Sequence, residues 1–150
     1  MHIAPLPDAF LLRARTEGLD DLRQPVKRVI AEGGEPCRDV LRRAEPGEEL
    51  LLASFTPFTV PGPYKEYGPI FLLANASPES AARHALPYDG YLRDQFAIRA
   101  YNAQEEIIDA ALIRAADAES TMSRFFAREE TAFLHLRFPS YGCFAMRVDR

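Results

Sequence analysis

The feature that most constrains the fold is a short segment, residues 50–53, that is apolar at every position (Leu-Leu-Leu-Ala). It follows the turn dipeptide Pro46-Gly47 and precedes a loop at residues 56–67 that contains three prolines and a glycine. Successive residues of a strand point to opposite faces, so a strand that is apolar at odd and even positions must be covered on both sides. We therefore predict a doubly covered strand over Glu49–Phe55 and an irregular surface loop after it.

Apolar and β-branched runs bounded by turn residues predict six further strands. They cover residues 26–31, 69–74, 95–101, 106–114, 132–138 and 144–149. The runs at 95–101 and 106–114 flank a turn at 102–105 and form the clearest hairpin. The turn at Pro46-Gly47 predicts another strand, over residues 37–41, that pairs antiparallel with Glu49–Phe55. A helical turn over residues 38–43 is the alternative there, and residues 10–15 fit either a strand or a short helix.

Two short helices are predicted. Ser77 is a suitable N-cap and Pro78 suits the first helical position, so the first helix begins there and ends near His84. Asp117 caps the second, in which four apolar side chains form one core-facing stripe: Ala118, Met122, Phe125 and Phe126. Because strands outnumber helices and do not alternate with them, we expect an α+β fold. The expected architecture is a single domain over residues 1–150, with a mostly antiparallel sheet of six to eight strands and two short helices packed on it.

Composition and missing motifs exclude several classes of protein. The net charge of −4 argues against a nucleic-acid partner. No apolar run approaches the roughly 18 residues of a membrane span. The first residues also lack the basic and apolar regions of a secretory signal, so we expect a cytoplasmic protein that contacts no membrane. The chain has no cluster of Cys and His at zinc spacing and no glycine-rich phosphate motif, so we expect no metal and no cofactor.

The two cysteines, Cys37 and Cys143, lie far apart in the sequence. In a reducing cytoplasm the expectation is two free thiols with a structural or redox role. The alternative is a disulfide, which would close a loop of about 100 residues and stabilise the fold by roughly 4–5 kcal/mol in the chain-entropy model.

Alternation along three strands gathers polar side chains on one face of the predicted sheet. If the strands at 95–101, 132–138 and 144–149 are neighbours, that face carries Arg99, Tyr101, His135, Arg137, Cys143 and Arg147. Guanidinium groups bind carboxylates and phosphates through paired hydrogen bonds, and 16 of the 18 basic residues are arginine. The face could therefore hold an anionic ligand. The alternative is the ordinary solvated face of a one-sided sheet.

A series of short motifs is spread along the chain. They are Pro36-Cys37-Arg38, Leu41, Ala44-Glu45-Pro46-Gly47-Glu48, Leu51-Leu52, Pro63-Tyr64, Ile70-Phe71, Ile98-Arg99-Ala100-Tyr101, His135, Gly142-Cys143 and the ending Arg147-Val148-Asp149-Arg150. In these motifs the chain resembles the bacterial family catalogued as domain of unknown function 1203. The resemblance runs from about residue 10 to the end. It implies a shared fold and a bacterial setting, but the family carries no assigned activity.

The chain departs from the family pattern at three places. Members often carry a charged residue or a histidine where residues 72–75 read Leu-Leu-Ala-Asn. An aspartate is common where this chain has Asn102, and some members have Cys or Ser near Val40. Metal or acid chemistry that depends on those groups is therefore not expected here.

Three hypotheses of function follow. The leading one is a domain that binds a small anionic ligand, or a partner's acidic group, through four side chains: Arg38, Arg99, Arg137 and Tyr101. In it, Cys37, His135 and Cys143 shape the pocket. The second is an enzyme with Cys143 as nucleophile and His135 as base, which requires a sulfur–nitrogen distance of roughly 3–4 Å. The third is a homodimeric interaction protein that makes contact through an exposed edge strand or the loop at 57–67.

Overall fold

The computed structural model describes residues 1–77 and 86–150. In chain order the strands are β1 (His2–Ala4), β2 (Lys27–Ile30), β3 (Pro36–Cys37), β4 (Arg42–Arg43), β5 (Glu49–Phe55), β6 (Gly68–Leu73), β7 (Gln95–Tyr101), β8 (Ile107–Arg114), β9 (Phe133–Arg137) and β10 (Phe144–Asp149). The α-helices are α1 (Asp8–Leu12), which continues as a π-helical turn (Arg13–Glu17), and α2 (Ala118–Phe126), which follows a 3-10 turn (Ala115–Asp117). A second π-helical turn spans Tyr88–Leu92.

The strands of the described residues form two five-stranded sheets. Sheet 1 has the order β1-β10-β9-β7-β8, and sheet 2 has the order β2-β5-β6-β3-β4. Sheet 1 is antiparallel throughout, and sheet 2 is mostly antiparallel. The α+β class is confirmed, but the expectation of one sheet with six to eight strands is wrong. The Pro46-Gly47 turn does not join neighbours: β5 lies between β2 and β6, whereas β3 pairs with β4 and, in parallel, with β6.

Sheet 2 is covered on both faces, as the apolar run predicts. Leu51 packs with Phe10 of α1 in one cluster, and Leu50 packs with Cys37 in another on the opposite face. Both leucines have no exposed surface. The segment at residues 10–15, which fitted a strand or a helix, is helical because Phe10 and Ala14 lie on one side of the helix and bury against this sheet.

Sheet 1 contains the predicted hairpin and carries α2 on one face. Strands β7 and β8 pair in register from Gln95–Arg114 to Ala100–Asp109. The predicted helical stripe is confirmed, because Ala118, Met122, Phe125 and Phe126 are all buried in the core of this sheet. The helix expected from Ser77 to His84 lies outside the described residues.

A β-bulge at the start of β10 changes which side chains share a face. Phe144 pairs with Arg137, but Met146 pairs with Leu136, so Ala145 is an extra residue. Phe144 therefore lies on the face of Arg137 and His135 and packs into the cluster with Phe55, whereas Ala145 and Cys143 pack on the opposite side. The prediction that Cys143 shares a face with His135 and Arg137 is wrong for this reason.

Candidate ligand-binding cleft

A cleft of about 730 Å³ lies between the two sheets and the loops that join their strands. This volume is in the range of small-molecule sites. Strand β3 and the residue after it contribute Pro36 and Arg38, sheet 2 adds Phe71, and the turn that leads into β10 adds Cys143. The cleft is thus lined by parts of the segment at residues 32–71, by residues 92–95 and by residues of the turn at 138–143.

Arg38 is a buried cation that lines this cleft. Its residue is 4% exposed, and its guanidinium lies 5.1 Å from the centre of the Phe138 ring. Nε donates to the Phe144 carbonyl at 2.9 Å and Nη1 to the Pro36 carbonyl at 2.6 Å. Within residues 1–77 and 86–150, Nη2 has no acceptor and the group has no carboxylate partner. Burial lowers the pKa of Arg38, because the charged form is poorly solvated there.

Arg43 also lies over the Phe138 ring and is held by backbone carbonyls. It lies 5.4 Å from the ring centre and donates to the carbonyls of Gly34, Gly90 and Tyr91 at 2.6–3.0 Å. These bonds use all three of its nitrogens, so Arg43 ties β4 to the turn at Tyr88–Leu92. We interpret it as a structural wall of the cleft.

Cys143 is half-buried, lines the cleft and carries a free thiol. Its sulfur lies 3.9 Å from the Tyr141 carbonyl, and electrostatic interactions link it to Arg38 and Arg137. Cys37 is also a free thiol but is fully buried. Burial, with the nearby Asp39 carboxylate, raises the pKa of Cys37 to about 12. The two thiols are therefore chemically unlike, and the structure contains no disulfide between them.

Arg99 and Arg137 converge on one carboxylate instead of a cleft. Glu66, from the proline-rich loop, pairs with Nη2 of Arg137 and lies 3.8 Å from Nη1 of Arg99. Arg137 also donates to the Gly142 carbonyl at 2.9 Å, and its side chain is almost completely buried. Arg99 and Arg137, which strand alternation placed on one face, thus share the Glu66 carboxylate. Arg38 lies in the cleft near residues 138–144 and does not share it.

Tyr101 and His135 have no exposed surface and lie in a buried aromatic cluster. The His135 ring is 4.7–5.2 Å from the rings of Phe58, Tyr101, Phe133 and Phe144. Burial, with the nearby cations Arg147 and Arg99, lowers the pKa of His135 to about 3. The imidazole is therefore neutral at pH 7, and this face of sheet 1 is covered rather than solvated.

The structure does not bring Cys143 and His135 together. Neither ring nitrogen of His135 has a hydrogen-bond partner in the described part of the chain. Cys143 packs against the cluster around Tyr91 on the other side of sheet 1. The sulfur–imidazole contact required by the cysteine-enzyme hypothesis is thus absent between these two residues.

Sequence reasoning missed the residue that anchors the proline-rich loop. Glu105 is buried with a φ of 62°, and its carboxylate accepts hydrogen bonds from the backbone N–H groups of Thr59 and Val60 and from the Thr59 hydroxyl. Burial alone would raise the pKa of Glu105, but these hydrogen bonds and Arg147 hold it below its usual value. The anchored loop places Phe58 on His135 and Glu66 on the two arginines. A hairpin glutamate next to another glutamate gave no signal of this role.

Residues 1–77 and 86–150 hold no group of three or more His, Cys, Asp or Glu side chains arranged to bind a metal ion. No helix in the same ranges has the length and hydrophobicity needed to cross a membrane.

Comparison with known proteins places this cleft in a family. Residues 34–150 match the family model described as protein of unknown function (DUF1203). The chain belongs to this family. The match contains Arg38, Cys143 and every other side chain discussed in the cleft from Gly34 onward. No curated protein and no solved structure matched the chain.

Proposed function

We propose that this DUF1203 protein is a single binding domain for a small anionic molecule, and that the cleft around Arg38 is its site. The observation that supports the proposal is that Arg38 is a buried cation without a carboxylate partner in the described ranges. Its guanidinium lines a cleft of about 730 Å³. A buried charge is costly unless it is paired, and two carbonyls and an aromatic ring compensate a full positive charge only in part.

A bound anion would supply the missing negative charge. A carboxylate or phosphate oxygen at Nη2 would form a charge-assisted hydrogen bond, which is about twice as strong as a neutral one. Phe138 and Phe71 line the same cleft and offer apolar surface to the body of the ligand. The expected ligand therefore has one anionic end and a flat or apolar body.

Three other groups of the leading hypothesis take different roles in this proposal. Arg99 and Arg137 hold the loop through Glu66, and Tyr101 packs in the aromatic cluster, so none of them contacts the ligand directly. In the cleft wall, Arg38 contributes the charged side chain that binds the ligand, and Cys143 contributes a thiol. We place the protein in a reducing cytoplasm of a bacterial cell, where both thiols stay free.

The test is calorimetric titration of the protein with a panel of small anions: acetate, benzoate, 4-nitrobenzoate and inorganic phosphate. Loss of a charge-assisted hydrogen bond costs about 1.5–3 kcal/mol, so Arg38→Gln should weaken the tightest anion about tenfold or more. Arg28→Gln is the control, since it removes the same charge from an exposed position on β2. Circular dichroism checks that both variants fold. Equal affinities for the wild type and a folded Arg38→Gln protein, or no binding of any anion, would refute the proposal.

A further inference from the structure

Cys143 occupies the same cleft as the unpaired part of Arg38, and the anion-binding proposal does not use it. The thiol is accessible because the residue is only half-buried and lines the cleft. Two guanidinium groups, those of Arg38 and Arg137, interact electrostatically with it. Both arginines donate hydrogen bonds to carbonyls of the turn that holds Cys143, at Phe144 and Gly142. The turn therefore holds the thiol near Arg38, whose charge has no carboxylate partner in the described ranges, whereas the charge of Arg137 is paired with Glu66.

We propose that Cys143 is a modification site at which an anionic disulfide, held in the cleft, exchanges with the thiol and leaves a mixed disulfide on the protein. This inference rests on the proposed anion site, because the guanidinium of Arg38 would hold the carboxylate of the incoming disulfide. The ligand class is a small disulfide whose two halves carry carboxylates.

The exchange balances without another reactant. The Cys143 thiol loses its proton to solvent, its sulfur attacks one sulfur of the disulfide, and the S–S bond of the reagent breaks. One half of the reagent becomes bonded to Cys143, and the other half leaves as a thiolate that takes up a proton. Cys143 is oxidised to a disulfide, and the departing half of the reagent is reduced to a thiol.

The acidic residues of the cleft do not cancel this preference for anions. Glu32 and Asp94 are exposed, and Glu35 already accepts hydrogen bonds from the backbone N–H groups of Glu32 and Gly33. Arg38 lines the same cleft and has no carboxylate partner within residues 1–77 and 86–150, whereas Arg137 does not line it and is already paired with Glu66. A reagent that reaches the sulfur therefore meets positive charge.

Cys37 provides an internal comparison. It is a free thiol with no exposed surface, and burial raises its pKa to about 12. Exchange requires an accessible thiolate, so Cys37 should stay unmodified in the folded protein. A Cys143→Ser protein, which retains Cys37, should accordingly show no exchange before denaturation.

The experiment compares two disulfides by mass spectrometry of the intact protein. The anionic probe is 5,5′-dithiobis(2-nitrobenzoate) and the cationic probe is cystamine, with N-acetylcysteinamide as a free thiol reference. For each thiol, the rate of reaction with the anionic probe is divided by the rate with the cationic probe. Charged clefts raise association rates by about 10–10³-fold, so this ratio should be about tenfold or more higher for the protein than for the free thiol. 4-Nitrobenzoate, which cannot exchange, should slow the anionic reaction by competition. His135→Leu should leave the rate unchanged, since His135 does not contact Cys143.

The outcomes separate this inference from the proposal on which it rests. If anions bind in calorimetry but the rate ratio equals that of the free thiol, the modification site is refuted and the anion site stands. If Arg38→Gln folds and abolishes both binding and the rate preference, both proposals are supported. If that variant does not fold, two measurements on the wild type replace it. Competition by 4-nitrobenzoate and loss of the rate preference for the anionic probe in high salt would support the inference, and absence of both effects would refute it.

Discussion

Burial of His135 makes the stability of the fold depend on pH between about pH 6.5 and about pH 3. Its pKa is lowered from 6.5 to about 3, because the imidazole is buried beside the cations Arg147 and Arg99. The unfolded state therefore binds a proton between these two values that the folded state does not bind. The stability from neutral His135 is complete above the unfolded-state pKa and is lost as the pH falls through this window.

The size of the effect follows from the window. A pH of about 5 lies about 1.5 units below the pKa of 6.5 of the unfolded imidazole. Each unit corresponds to about 1.4 kcal/mol, so the free energy of unfolding falls by about 2 kcal/mol. Most carboxylates remain ionised at that pH and contribute little to the change. His135→Leu removes the titrating group and keeps a similar volume in the aromatic cluster, so it should remove this part of the pH dependence.

Urea unfolding at pH 7.5 and pH 5, followed by circular dichroism, measures the difference. The wild type should lose about 2 kcal/mol more than His135→Leu on acidification. His2→Gln is the matched control, because the His2 side chain is 56% exposed, and this variant should behave like the wild type. Equal acid sensitivity of the wild type and His135→Leu would show that His135 is not buried in its neutral form, and the described cluster would be wrong.

Three further predictions concern hydrogen bonds and packing in the interior of the fold. Glu105→Gln should lower the free energy of unfolding by about 2–3 kcal/mol at pH 7, because three hydrogen bonds to a buried carboxylate are weakened, whereas Glu106→Gln should change it by under about 0.5 kcal/mol. In urea unfolding, Tyr91→Phe should cost about 1 kcal/mol, since its hydroxyl donates to the Ala145 carbonyl at 2.8 Å in the core. Phe125→Ala should cost about 3–5 kcal/mol by leaving a cavity under α2, measured in the same assay.

The spacing of apolar residues predicted the elements that are long enough to show a clear period. The strand β5, the β7–β8 hairpin and the stripe of α2 each bury side chains at the spacing that the sequence shows. Strands β3 and β4 have two residues each, so no period was available to separate a strand from a turn at residues 37–43.

The candidate site depends on contacts between distant parts of the chain. Glu66 meets Arg137 across 71 positions, and Arg38 meets the Phe144 carbonyl across 106. Strand parity alone cannot place these groups, because the bulge at Ala145 reverses the faces of Phe144 and Cys143 relative to the rest of β10. Sequence reasoning therefore named the residues Arg38 and Cys143 but assigned Cys143 to the wrong face.

The position of a bound anion tests the central claim most directly. The experiment is a crystal structure of the protein with the anion that binds most tightly in calorimetry. The account predicts an anionic oxygen at about 2.7–2.9 Å from Nη2 of Arg38, with the body of the ligand against Phe138. An anion bound at Arg99 and Arg137 in place of Glu66, or one that does not contact Arg38, would contradict it.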